Sequence, residues 1–329
     1  MLPLGAGTAG FDRWVEFLAV VVVLLAFDLF VVHRKPHAVS FREAAGWSIF
    51  WIAIALAFNG WVWWEYGAQP AIDFFAAYVM EKSLSVDNLF VFVVLFGFFK
   101  VPPEQRHRVL FFGIVGALVM RAIFIFVGIE VLEAWKPAFY VFGAILLWSA
   151  WKLLHGGGAH FEPEKSWAYR ISRRLVPLVP EYEGGRFLVK RDGKTVGTNL
   201  LLVLLIVEAT DVVFALDSVP AVIGITRDPF IVYTSNVFAI LGLRALFFVL
   251  QGTLEAVPGL QAGLALVLAY VGVKMMLIPH AEVHVPSAVS LGVILLLLVG
   301  SWAVATLLRR AERRRERERA SGGGGPREG

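Results

Sequence analysis

Long apolar runs separated by short polar segments dominate the chain. Runs near 14–32, 46–64, 71–99, 109–129, 138–154, 198–225, 230–250, 259–279 and 287–308 are each long enough for a membrane-spanning helix, which needs roughly 17 to 25 residues. The pattern predicts an all-α polytopic membrane protein with nine transmembrane helices. Nine crossings put the termini on opposite sides. Of 30 Lys and Arg, 22 fall in the loops 33–45, 100–108 and 155–197 and in the tail after 308, while only Arg13, Lys136 and Arg227 fall on the other side. The remaining five, Lys82, Arg121, Lys152, Arg244 and Lys274, lie inside spans. Because cations are retained on the cytoplasmic side, this places the N-terminus outside and the C-terminus in the cytoplasm.

Composition agrees with this picture. Hydrophobic residues make up 58% and charged residues 17% of 329, against about a quarter charged in soluble domains, which excludes an ordinary cytosolic enzyme. The net charge of +4 sits in loops and tail, so its partner is a bilayer with anionic headgroups and not a nucleic acid. No cysteine is present, which excludes disulfides and thiolate metal sites. Zinc-protease, serine-hydrolase and P-loop motifs are missing too, so no enzyme is indicated and no tightly bound cofactor is expected. Trp47, Trp51, Trp61, Trp63 and Trp64 bracket the second span as interface anchors. In the loop 155–197, Arg186 to Val196 centred on Asp192-Gly193 predicts a β-hairpin, since Asp-Gly tolerates the positive φ of a type I′ turn.

An internal repeat organises the rest. Glu81, Asp87, Arg121, Glu133 and Lys152 recur in order as Asp211, Asp217, Arg244, Glu255 and Lys274. The acid-to-acid interval is six in both copies, and the interval from the Leu-Glu-Ala glutamate to the lysine is 19 in both. Each copy holds three spans, so the second crosses in the opposite sense, the inverted-topology plan of many secondary transporters. The divisions are a two-span segment (1–69), repeat 1 (70–154), the cytoplasmic loop (155–197), repeat 2 (198–279), the last span (280–308) and a basic tail (309–329).

Five intramembrane acids are the candidate metal ligands: Glu81 and Asp87 in the third span, Glu208, Asp211 and Asp217 in the sixth. Acids at such depth usually face a cavity or a partner. Against Lys82, Arg121 and Arg244 they leave two surplus negative charges, enough for one divalent cation or two protons. Asn88, Ser218 and Asn236 add neutral oxygens, and an oxygen set without Cys or His suits Mg, Ca or Mn. Residues six apart on a regular helix point about 240° apart. For both acids of a span to share one site, the helix must open, and Ser83-Leu84-Ser85 and Thr210 to Val213 are the expected interruptions. The alternative is that the acids form structural ion pairs with the intramembrane cations, which their surplus disfavours. Arg121 and Arg244 read as counter-charges, since a guanidinium repels a metal cation. Asp28 is either a ligand at the cytoplasmic mouth or a solvated residue.

Glu81 to Phe90, Glu208 to Pro220 and Ser235 to Arg244, with Phe27-Asp28 ahead of His33 to His37, resemble the signature segments of the TerC family, close to its Alx-type manganese exporters. The resemblance runs from about residue 20 to 305. It implies a multi-pass protein of the bacterial inner membrane that exports Mn²⁺, with the acids of the third and sixth spans as transport site and protons as counter-ion. Two other roles attach to the family: a scaffold or metallation factor that delivers metal to secreted proteins beside the secretion machinery, and resistance to tellurium oxyanions.

Overall fold

The computed structural model describes residues 9–28, 40–155, 169–171, 182–191, 194–252, 260–277, 279 and 285–322. Ten long helices and one hairpin follow in order: α1 Phe11–Phe27, α2 Phe41–Tyr66, α3 Ala68–Phe98, α4 Pro103–Ala134, α5 Ala138–His155, β1 Leu188–Arg191, β2 Lys194–Gly197, α6 Asn199–Ile223, α7 Pro229–Leu241, α8 Leu243–Gly252, α9 Leu260–Leu277 and α10 Ser287–Gly322. Among the described residues, six segments are long and apolar enough to cross a bilayer: α2, α4, α5, α6, α7 with α8, and α10. Helix α3 has the length, 31 residues, but carries Asp73, Glu81, Lys82 and Asp87. Large apolar side chains such as Val22, Trp64, Leu296 and Leu307 face outward, a liability in water and a lipid face in a membrane. The chain is a polytopic, nearly all-helical membrane protein.

Local chemistry sets the helix ends. Ser40 accepts from the Glu43 amide at the start of α2, Thr198 from Leu200 at α6, and Asp228 from Phe230 and Ile231 at α7, each satisfying amides that a helix start leaves free. Gly67, at φ 90°, turns α2 into α3 with no loop between them, a conformation that favours glycine. The hairpin pairs Leu188 with Gly197 and Arg191 with Lys194, as the Asp-Gly pattern predicts; Asp192 and Gly193 themselves lie outside the described residues. It is docked on the bundle: Thr198 donates to the Arg186 carbonyl (2.7 Å), and Tyr182 to the Phe99 carbonyl (2.7 Å) at the end of α3. The C-terminal end of α3 and the N-terminal end of α6 are therefore on one side, and the two helices run antiparallel.

The helices pack in a recurring scheme. Helix α4 lies along α6, α7 lies along α3, and α5 lies along α9. Small residues permit the approach: a Cβ on Gly113 would sit 3.2 Å from Val207 Cγ1, and one on Gly143 would sit 2.8 Å from the Gly272 carbonyl. Buried apolar residues form two clusters whose boundary falls between Leu84 and Leu89 on α3 and between Val207 and Ala215 on α6.

Two expectations are corrected. Helices α3 and α6 are continuous through Ser83 to Ser85 and through Thr210 to Val213. The hydroxyls there bind the preceding turn, Ser83 to the Val79 carbonyl (2.7 Å) and Thr210 to the Ile206 carbonyl (2.7 Å), so they sit within the helix and do not open it. The interruption falls instead at Gly242, between α7 and α8. Trp51 is no interface anchor; it is buried in the core, with its Cβ against Gly242.

Candidate functional site

A buried polar cluster lies where α3, α4, α6 and α7 meet. Arg121, on α4 and 1% exposed, directs one guanidinium nitrogen to Glu81 Oε1, to the Ser218 hydroxyl (3.0 Å) and to Asn236 Oδ1 (3.5 Å). Its other terminal nitrogen lies 3.6 Å from Asp211 Oδ1. Asn236 donates its amide to Glu81 Oε2 (3.1 Å), and Ser85, one turn from Glu81, donates to Oε1 (3.3 Å). Glu81 is fully satisfied. Asp211 is not: among the described residues its Oδ2 is buried without a hydrogen-bond partner, as is Arg121 Nε.

The straight α6 sends its second acid elsewhere. Asp217 faces α5, where the Ser149 hydroxyl donates to Oδ1 (2.6 Å). The side chains of Asp87 and Asn88 lie outside the described residues. Glu208 lies one turn before Asp211, its carboxylate against Gly116 of α4, where any Cβ would overlap it. Among the described residues, no three His, Cys, Asp or Glu side chains are grouped to hold a metal ion. Of the four predicted acids whose side chains are described, Glu81 and Asp211 are brought together, through Arg121.

A cavity opens beside this cluster. It is lined by Leu89, Phe92, Gly113, Val207, Asp211 and Arg244 among others, so it lies in the half toward the hairpin. Arg244 donates to both Oδ1 (2.6 Å) and the carbonyl (2.9 Å) of Asp28. Asp28 is 4% exposed, so it is not the solvated residue that the sequence left open; the ion pair ties the end of α1 to α8. Lys82 donates to the Ala239 carbonyl (3.1 Å) just before the break at Gly242.

Sequence reasoning missed Ser85, Ser149, Gly116 and Gly242. Ser85 is readable, being four residues after Glu81 on one helix face. Gly113 and Gly116 are small residues on the face of α4 that α6 approaches, and small residues signal close helix approach. Nothing local points to Ser149, which acts across 68 residues of chain.

The family profile described as Integral membrane protein TerC family matches residues 66–315, which takes in α3 to α9 and every residue of the buried cluster. The chain belongs to the TerC family. An uncharacterized membrane protein of Myxococcus xanthus is 47% identical over 296 residues, covering 90% of this chain and 92% of its own length. Proteins named as proposed membrane-bound redox modulators, Alx, are 41% identical in Salmonella typhi and 40% in Escherichia coli K12. Each of these covers 88% of this TerC chain, and 94% and 93% of its own length. No solved structure matches the chain.

Proposed function

We propose that this TerC protein is a secondary transporter that exports Mn²⁺ across the bacterial inner membrane by alternating access, with protons as counter-ion. Nine spans carry it, N-terminus outside and C-terminus in the cytoplasm, with residues 70–154 and 198–279 as inverted repeats. The packing scheme supports the repeat: exchanging the two copies turns the α4–α6 pair into α7–α3 and returns α5–α9 to itself. Glu81 and Asp211, equivalent in the repeat, also meet at one point.

The observation that carries the reading is Asp211. A carboxylate lining a cavity, with one buried oxygen unsatisfied, is an open ligand for a hard cation. Glu208 stands one turn nearer the mouth. Arg121 neutralises Glu81 when no cation is bound, and Glu81, Asp87, Glu208, Asp211 and Asp217 supply the oxygen ligands along the way. The relatives' name speaks of redox; thiol exchange is excluded for a chain without cysteine, whereas a redox effect exerted through manganese supply is compatible with export.

Mn²⁺ uptake into inside-out vesicles, with and without a pH gradient, tests the reading. Gradient-dependent uptake is expected from the wild type and should be lost in Asp211→Asn and Asp87→Asn at equal membrane abundance. Wild-type flux from Asp211→Asn removes the site, and no wild-type flux under any gradient turns the choice to the metallation or scaffold role.

A further inference from the structure

Tyr78 is 5% exposed, and its hydroxyl is buried without a hydrogen-bond partner among the described residues. Its ring lies parallel to that of Phe74, 6.3 Å away. Leaving a hydroxyl so buried costs about 1–3 kcal/mol, which phenylalanine at the same place would avoid. Its position suggests what the hydroxyl is for. Tyr78 precedes Glu81 by three residues on α3, and Glu208 precedes Asp211 by three on α6. In the repeat, the phenol therefore stands where the other copy has a carboxylate. Helices α3 and α6 are antiparallel, so these two turns extend from the Arg121 cluster in opposite directions: Glu208 toward the hairpin side, Tyr78 toward the other. Beyond Tyr78 in that direction, Asn59 Oδ1 and the Tyr66 hydroxyl of α2 are also buried without partners among the described residues.

We propose that Tyr78 is a cargo ligand on the outward leg, the neutral counterpart of Glu208, and that this pairing of an acid with a phenol makes the two sides of the carrier unequal in affinity. The inference rests on the transport reading. A divalent cation leaving Glu81 meets an uncharged oxygen able to contact it, or one of its waters, without the Coulomb attraction that a carboxylate adds. Capture from the hairpin side is tight and release on the other is easy. Asn59 and Tyr66 continue the same neutral oxygen path.

Mn²⁺ alone is the probe, offered to the hairpin side in inside-out vesicles and to the opposite side in right-side-out vesicles. The wild type is expected to show a KM at least about tenfold higher on the opposite side, a difference of about 1.4 kcal/mol. Tyr78→Glu should lower the opposite-side KM toward the hairpin-side value. Tyr78→Phe should raise the opposite-side KM while leaving the protein at least as heat-stable, because it removes a buried unpaired hydroxyl. A purely structural Tyr78 would change stability and neither sided KM. Equal KM values on the two sides of the wild type, or Tyr78→Phe and Tyr78→Glu both matching it, would overturn the inference while leaving transport standing. Wild-type vesicles that move no Mn²⁺ overturn the transport reading and this inference together.

Discussion

At Arg121 a single guanidinium has to satisfy more acceptors than its geometry reaches. It meets Glu81 directly and Asp211 at 3.6 Å, so the two acids are unequal although their positions match in the sequence pattern. Removing one partner of a buried pair leaves an uncompensated charge and costs about 3–5 kcal/mol, far more than the pair contributes. Arg121→Met is therefore expected to destabilise the protein strongly, and adding Glu81→Gln should return most of the loss. Thermal unfolding of the single and double variants in detergent checks this, and a double variant no more stable than Arg121→Met would mean that Glu81 is not the group left stranded. The same residue bears on what could be read without a structure. That Glu81 and Asp211 belong together was legible from the repeat. The asymmetry between them was not, because it depends on Asn236 and Ser85 reaching Glu81 while, among the described residues, no side chain reaches Asp211 Oδ2.

Helices show where hydropathy arguments hold and where they slip. The apolar runs coincide with helices within a few residues at most ends, because burial and lipid exposure act over whole turns, and six segments among the described residues are long and apolar enough to cross a bilayer. The expected openings of α3 and α6 failed for a physical reason: the six-residue spacing forbids a shared site only if both acids must face it, and Asp217 faces Ser149 instead. The opening that exists, at Gly242, is held by Lys82. A Cβ there would lie 2.7 Å from the Lys82 ammonium and 3.1 Å from Trp51 Cβ. Gly242→Ala should push the ammonium off the Ala239 carbonyl and cost about 1–3 kcal/mol. Lys82→Met should cost a similar amount, and the two together little more than either, since both remove one interaction. Strictly additive losses in unfolding experiments would show that the break and the lysine act separately.

For the molecule as a whole, the proposed transport depends on sidedness. In the proposed orientation, which follows the cation distribution, the hairpin is cytoplasmic and the α6–α7 turn is outside. A chain without cysteine allows a clean check. Lys190→Cys, on β1, is expected to react with a membrane-impermeant maleimide only in inside-out vesicles, and Thr226→Cys, between α6 and α7, only in right-side-out ones. The opposite result would invert the proposed orientation of the protein in the membrane. The buried cluster also has a consequence in time. Glu81 leaves the ribosome 40 residues ahead of Arg121 and 155 ahead of Asn236. At 5–20 residues per second these intervals are about 2–8 s and 8–31 s. For that period Glu81 lacks Arg121 and Asn236, the partners it meets on other helices, so α3 must wait beside the insertion machinery, and the order of synthesis becomes part of how the site is built.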